Sequence, residues 1–256
     1  MSSQLSPALA PIIGGFVQQY TGCWRICFVA LAIITFMAFL IILLFMPETC
    51  NIPYKKKDMM TQIKVYISLF KLRKFMCFNF ISALIFVFTI GYYGYMPFIL
   101  VKMNFTPVEN GVVYSIYALF IVLGSLSLGT YLKKVNSKTL FSFCCISYLL
   151  SSIVFLFYFN NISPSSPITI IIFTAILSFL CGVASPLVLS LCLTGFTYDK
   201  GAASAVQGFV KMFFTGVALF IFNFIPLKSI VNLVECNIIL SVNIIIVFIV
   251  ESFLSV

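Results

Sequence analysis

Residues 26–45 read ICFVALAIITFMAFLIILLF, twenty positions with no charge and Thr35 as the single hydroxyl. A water-soluble domain has no core large enough to hide such a run on every side. In a bilayer, about 20 apolar residues in a helix cross the hydrocarbon layer. A helix also satisfies its own backbone polar groups there, where no water is available. Runs of this kind recur along the chain. They predict eight spans at 3–20, 25–46, 76–100, 107–132, 139–159, 167–195, 202–225 and 231–254, the first being the least apolar. Composition agrees: 8% of residues are charged, against roughly 25% in soluble domains, and mean hydropathy is +1.17. The expected fold class is an all-α polytopic membrane protein of about eight transmembrane helices, with the lipid bilayer as its first partner and no separate soluble domain.

The net charge of +9 sets orientation rather than nucleic-acid binding, because the basic residues lie in connections and form no stripe with interleaved aromatics. Residues 48–75 carry Lys55, Lys56, Lys57, Lys64, Lys71, Arg73 and Lys74. A loop this basic is expected on the cytoplasmic side. With eight spans, alternation puts 133–138 and 197–201 on that side too. Eleven basic residues then lie inside, against Arg25, Lys102 and Lys228 outside. Both chain ends fall on the cytoplasmic face. The 48–75 connection is read either as a solvated linker or as a segment whose VYISLF stretch (65–70) dips into the lipid surface.

There are nine Cys and no His. The Cys form no CxxC pair and sit mostly inside apolar runs, where Cys acts as a small hydrophobe. No metal, disulfide framework or cofactor is expected. Nor is an enzyme, since no nucleophile, base and acid are arranged as a catalytic set.

Several spans have a polar or small-residue face. In the third span Asn79, Ser82, Phe86, Thr89 and Tyr93 recur at three- and four-residue steps and share one side. Polar groups in a membrane helix turn to protein or a cavity, so this side is read equally as helix packing or as cavity lining. Gly111, Ser115, Ala118, Ser125 and Gly129 give the fourth span a small-residue stripe suited to close packing. Tyr92, Tyr93 and Tyr95 are read as belt anchors or as contacts for an apolar solute. Thr106, Pro107 and Glu109 form a capping-box pattern, which makes Glu109 structural. Lys211 lies about 13 Å into the seventh span at 1.5 Å per residue, where a Lys costs on the order of 2.5–3.5 kcal/mol. It shares a face with Ser204, Gly208 and Thr215. It is read either as a site for an anion or a competing proton, or as a snorkelling stem or a tolerated change in a decaying protein. The second span, and nearly so the fifth and eighth, are apolar all round and expected to face lipid broadly.

Residues 9–18, LAPIIGGFVQ, are followed by a short turn, Trp24-Arg25 and a span ending in MPET. This arrangement resembles helices five and six of major facilitator superfamily drug antiporters, and more narrowly the Bcr/CflA drug:proton antiporters that include bicyclomycin-resistance proteins. Ala10-Pro11-Ile12-Ile13-Gly14-Gly15 is similar to the end of the family's antiporter motif. Gly201-Ala202-Ala203-Ser204-Ala205 with Gly208-Phe209 is similar to a stretch opening helix eleven, and Pro97-Phe98 to the end of helix seven. Gly15-Phe16-Val17-Gln18 parallels Gly208-Phe209-Val210-Lys211, as equivalent helices of two repeated halves would.

The resemblance implies that 1–47 are the last two helices of an N-terminal half, 48–75 the central loop and 76–256 a complete six-helix C-terminal half. It implies a bacterial inner-membrane protein whose parent exports drug-like small molecules in exchange for protons. The first four helices would be absent or supplied as a separate chain, so the chain alone is expected to be inactive. Pro11, Gly14, Gly15, Gly201, Ser204 and Gly208 would serve the antiporter motif and helix packing, while Asn79, Ser82, Thr89, Tyr93, Lys211 and Thr215 line the path. The family has Gln where Lys211 stands, Cys23 interrupts its Gly-Trp-Arg run, and its helix-one acid has no counterpart. The alternatives are a non-transporting membrane protein, such as a split-gene partner or inert remnant, and a facilitator of another small solute.

Overall fold

The computed structural model describes residues 2–47, 59–130, 135–161, 167–194, 200–222, 224 and 229–254. Lys55, Lys56, Lys57, Lys133, Lys134 and Lys228, which entered the charge count, lie outside them. The described residues form helices α1 (Ser2–Thr21), α2 (Arg25–Phe45), α3 (Met59–Lys71), α4 (Arg73–Lys102), α5 (Pro107–Thr130), α6 (Ser137–Asn161), α7 (Pro167–Leu193), α8 (Lys200–Phe222) and α9 (Ile230–Leu254). They contain no strand. Seven of these helices, α2 and α4–α9, are long and apolar enough to cross a membrane. The chain is therefore a multi-pass, all-helical membrane protein. α1 has the length but not the hydropathy, since Gln4, Gln18 and Gln19 interrupt it.

α4 is the hub. Its 30 residues pack against α7, α8 and α9, and Phe78, Ile81, Met96 and Leu100 on it are wholly buried. α5 lies between α1 and α7, while α6 closes the other side against α7 and α9. Contacts run between helix starts and helix ends, as successive crossings require. Lys138 at the start of α6 meets Glu251 at the end of α9 at 3.4 Å.

The turn from α4 to α5 shows how local chemistry sets the hinge between two spans. Asn104 ends α4 at φ 62, a left-handed cap that Asn tolerates. Phe105 N donates to Leu100 O at 3.1 Å. The next residue opens α5 with the capping box read from sequence. Thr106 N donates to Glu109 Oε2 at 2.7 Å, and Glu109 N donates back to Thr106 Oγ1 at 3.3 Å.

Glycines set the closest approaches. A Cβ on Gly15 would stand 2.6 Å from Pro107 O, and one on Gly111 would stand 2.5 Å from Pro11 O. The α1–α5 crossing is thus reciprocal, each helix seating its glycine on the other's backbone. A second reciprocal crossing joins α5 and α7, where Gly124 lies on Phe179 O and Gly182 on Ile121 O. There Ser125 Oγ donates to Gly182 O at 3.0 Å. Gly14, Gly201 and Gly208 meet no heavy atom within 4 Å of an added Cβ, and Gly129 is exposed.

α2 buries none of its residues and packs on α1 alone, so its all-round apolar surface faces outward as its composition suggests. α6 and α9 differ from that expectation. Each buries one side, with Phe141, Cys144, Tyr148 and Ser152 inside on α6 and Val234, Leu240, Ser241 and Ile244 inside on α9. The 48–75 connection is not all irregular, since α3 occupies 59–71 and packs on α4 and α8 through buried Leu69. Within its VYISLF stretch, Tyr66, Ile67 and Phe70 stay exposed.

Candidate functional site

The polar face of α4 turns inward, and α8 covers part of it. Asn79 is fully buried. Its Nδ2 donates to Phe75 O at 3.0 Å, while its Oδ1 is buried without a protein partner. One turn on, Ser82 Oγ accepts from Gln207 Nε2 of α8 at 3.2 Å. One further turn on, the Lys211 ammonium sits 3.9 Å above the Phe86 ring centroid. Phe80 meets Phe214 edge-on at 5.1 Å. The α4–α8 seam therefore carries an amide, a hydroxyl and a cation in register, walled by aromatic rings.

Lys211 is the twelfth of the 23 residues of α8, about 16 Å from either end at 1.5 Å per residue. Its head points across to α4 rather than toward a helix end. A cation over a ring face is attracted by the ring quadrupole, which explains how α8 holds it at mid-depth. Thr215, one turn beyond, is buried, but its hydroxyl donates to Lys211 O at 2.6 Å. Ser204 is exposed and its hydroxyl donates to Gly201 O at 3.0 Å. These two hydroxyls are held within their own helix, so the face shared by Ser204, Gly208, Lys211 and Thr215 presents mainly the ammonium.

The upper part of the α4 face runs into a cluster of tyrosines. Tyr92 stacks on Tyr117 of α5 at 3.9 Å with planes 10° apart. Tyr93 lies 5.4 Å from Tyr114 and 5.5 Å from Tyr117. Thr89 sits against the Tyr117 hydroxyl. Phe88 stacks on Tyr148 of α6 at 4.6 Å. Tyr92, Tyr117 and Tyr148 border a cavity of about 20 Å³ that Thr174 and Asn237 also line. That is room for about one water. The hydroxyls of Tyr93 and Tyr114 and Oδ1 of Asn110 are buried without protein partners, while the Tyr92 hydroxyl sits against Thr174. Buried polar groups in proteins are nearly always satisfied, so these three atoms on α4 and α5 leave hydrogen-bonding capacity that a water can take up. Tyr92 and Tyr93 face α5 here, and the Tyr95 ring lies 6.4 Å from Phe222 of α8.

Of the residues singled out from sequence, Asn79, Ser82, Thr89 and Tyr93 lie along about 21 Å of α4, at 1.5 Å per residue from 79 to 93, and Lys211 meets that stretch from α8 at Phe86. Pro11 and Gly15 meet α5 instead, and Gly14, Gly201 and Ser204 point away from neighbours. Sequence reading missed Gln207, Tyr114, Tyr117, Tyr148, Thr174 and Asn237. Gln207 had a usable signal, lying four residues before Lys211 on the same face. The others sit singly in apolar runs with no period to point to them. Glu251 reads from sequence as an acid near a span end, and it lies in the last turn of α9 at 1% exposure. Among the described residues no group of three or more His, Cys, Asp or Glu is placed to hold a metal.

Comparison with known proteins places these features in context. The family model described as Major Facilitator Superfamily matches residues 1–222. An uncharacterized MFS-type transporter, YdgK of Bacillus subtilis (strain 168), is 25% identical over 213 residues, covering 81% of this chain and 52% of that protein. The chain thus spans about half the length of the curated relative it matches.

Proposed function

Because this chain belongs to the major facilitator superfamily, we propose that it moves a small solute across the membrane by alternating access. On this reading it is part of a proton-driven exporter of drug-like compounds, of the Bcr/CflA kind, in the inner membrane of a bacterium. One observation carries the reading. Among helices that are otherwise apolar, the polar groups of α4 gather on one inward strip, with Lys211 at mid-depth of α8 opposite them. Polar groups buried in a membrane bundle serve helix contact or a cavity, and here they adjoin an ammonium at the middle of α8 that no carboxylate of the described residues meets. The ring walls of Phe80, Phe86 and Phe214 suit a partly apolar cargo.

Residues 1–47 act as the last two helices of one half, 48–75 as the cytoplasmic connection and 76–256 as the second half, with both ends in the cytoplasm. Exchange requires the two halves to rock about the solute site, so these helices work with further ones that complete the first half. Efflux-deficient cells expressing 1–256 are expected to show no proton-dependent dye export. A chimera that places the N-terminal portion of the Bacillus subtilis relative ahead of residue 1 is expected to export the dye and to stop when an uncoupler collapses the proton gradient. Export by 1–256 alone contradicts the need for further helices. Export by the chimera that persists with the uncoupler contradicts proton coupling.

A further inference from the structure

We propose that Lys211 is the counter-charge for an anionic group on the transported solute, which makes the cargo an amphiphilic organic acid such as an aromatic monocarboxylate. This deepens the carrier reading above and rests on it. The ammonium stands at the midpoint of α8 with its nitrogen over the Phe86 ring at 3.9 Å. A ring face lowers the penalty of placing a cation there but supplies no opposite charge.

The carboxylates of the described residues are elsewhere. Glu109 is engaged by Thr106 at the start of α5. Glu251 is engaged by Lys138 at the far end of α9. Glu235 is exposed in the second turn of α9. None forms an ion pair with Lys211.

Two further features make the place a site rather than a stray charge. Gln207 and Lys211 are one turn apart on α8, and Ser82 and Phe86 are one turn apart on α4. The Gln207–Ser82 hydrogen bond therefore sets an amide N–H and a hydroxyl beside the ammonium. Asn79, one turn further along α4, holds a fully buried Oδ1 with no protein partner. A carboxylate docked at Lys211 would find donors from Lys211, Gln207 and Ser82. Its apolar body would lie against Phe80, Phe86 and Phe214. An ion pair formed in this low-dielectric setting is stronger than in water. A neutral solute of the same shape leaves the cation uncompensated.

The test uses the full 256-residue chain in lipid nanodiscs, with binding to empty discs subtracted. Tritiated 1-naphthoate is the probe, and unlabelled 1-naphthoate, 1-naphthamide and 1-naphthylmethylammonium compete. The carboxylate is expected to compete at least tenfold better than the neutral amide, and the ammonium compound worst. Lys211→Met is expected to weaken 1-naphthoate at least tenfold, while Lys211→Arg keeps the preference. Phe86→Leu removes the ring but not the charge, so it retains the order carboxylate before amide. The wild-type comparison needs no variant and stands even if Lys211→Met fails to fold. No binding of 1-naphthoate, equal affinity for carboxylate and amide, or an unchanged preference in Lys211→Met overturns the proposal. Charge-selective binding without dye export by the chimera sinks the exporter reading and leaves this site standing. Export without any carboxylate preference does the reverse.

Discussion

Replacing Gly111 by Ala sets a methyl group 2.5 Å from Pro11 O, and replacing Gly15 sets one 2.6 Å from Pro107 O. Carbon atoms pack at about 3.5 Å or more, so either change drives α1 and α5 apart by about 1 Å. The obstructing atoms are backbone, and no side chain can turn aside. A gap of that size forfeits roughly a quarter to a half of the dispersion attraction between facing atoms. Overpacking of this kind costs about 1–3 kcal/mol. The two methyl groups push along the same line, so the second enters space the first has opened. Gly15→Ala with Gly111→Ala should therefore fall short of the sum of the single effects by about 1–2 kcal/mol, within the usual range for residues in contact. Gly14→Ala is the internal control. It meets nothing within 4 Å and should change stability by about 0.5 kcal/mol or less, or improve it through helix propensity. The assay is equilibrium unfolding in mixed micelles titrated with dodecyl sulfate, followed by fluorescence of Trp24, the chain's single Trp, at the α1–α2 turn. Neutral single variants, or single effects that add fully, would refute the reciprocal crossing.

Three other outcomes follow from the same geometry. Lys138→Met leaves the buried Glu251 carboxylate without its ion-pair partner and should lower stability by roughly 1–3 kcal/mol, below the full buried-pair range because Lys138 is 40% exposed. Adding Glu251→Gln should recover most of that loss in a thermal assay that reads exposure of the buried thiols of Cys144, Cys181 and Cys192. Thr106→Ala removes the cap of α5 and should destabilise by about 1 kcal/mol, measured the same way. Tyr93→Phe and Tyr114→Phe each delete a buried hydroxyl with no protein partner, so each should leave thermal stability unchanged or raise it by up to about 1 kcal/mol. In the exporting chimera the same two changes should lower dye export if those hydroxyls meet the solute. Loss of stability with intact export would show that they serve folding.

How much was legible depended on whether the signal lay within one helix or between two. The capping box of Thr106 and Glu109 is contained in four residues, and it formed as read. The span 26–45 declared its surroundings because no side of it is polar, and none of its residues is buried. The inward side of α4 was also readable, since Asn79, Ser82 and Phe86 repeat with the helix. Periodicity names a face and not the neighbour that meets it. Phe86 and Lys211 were each placed on a face, but their meeting joins residues 125 positions apart.

The same limit explains α6 and α9. Lipid tails are as apolar as a protein core, so a uniformly apolar helix carries no mark of which side is covered. Tyr148 and Ser241 are buried on helices that read as nearly apolar all round and broadly lipid-facing. Glycine is the residue that breaks this degeneracy, because it marks where a backbone must come close. Even so, Gly14 and Gly15 read as one motif and behave as two residues. Adjacent positions on an α-helix point about 100° apart, so a single neighbour can be met by only one of them. α5 is met by Gly15, and the direction in which Gly14 points is set by that choice.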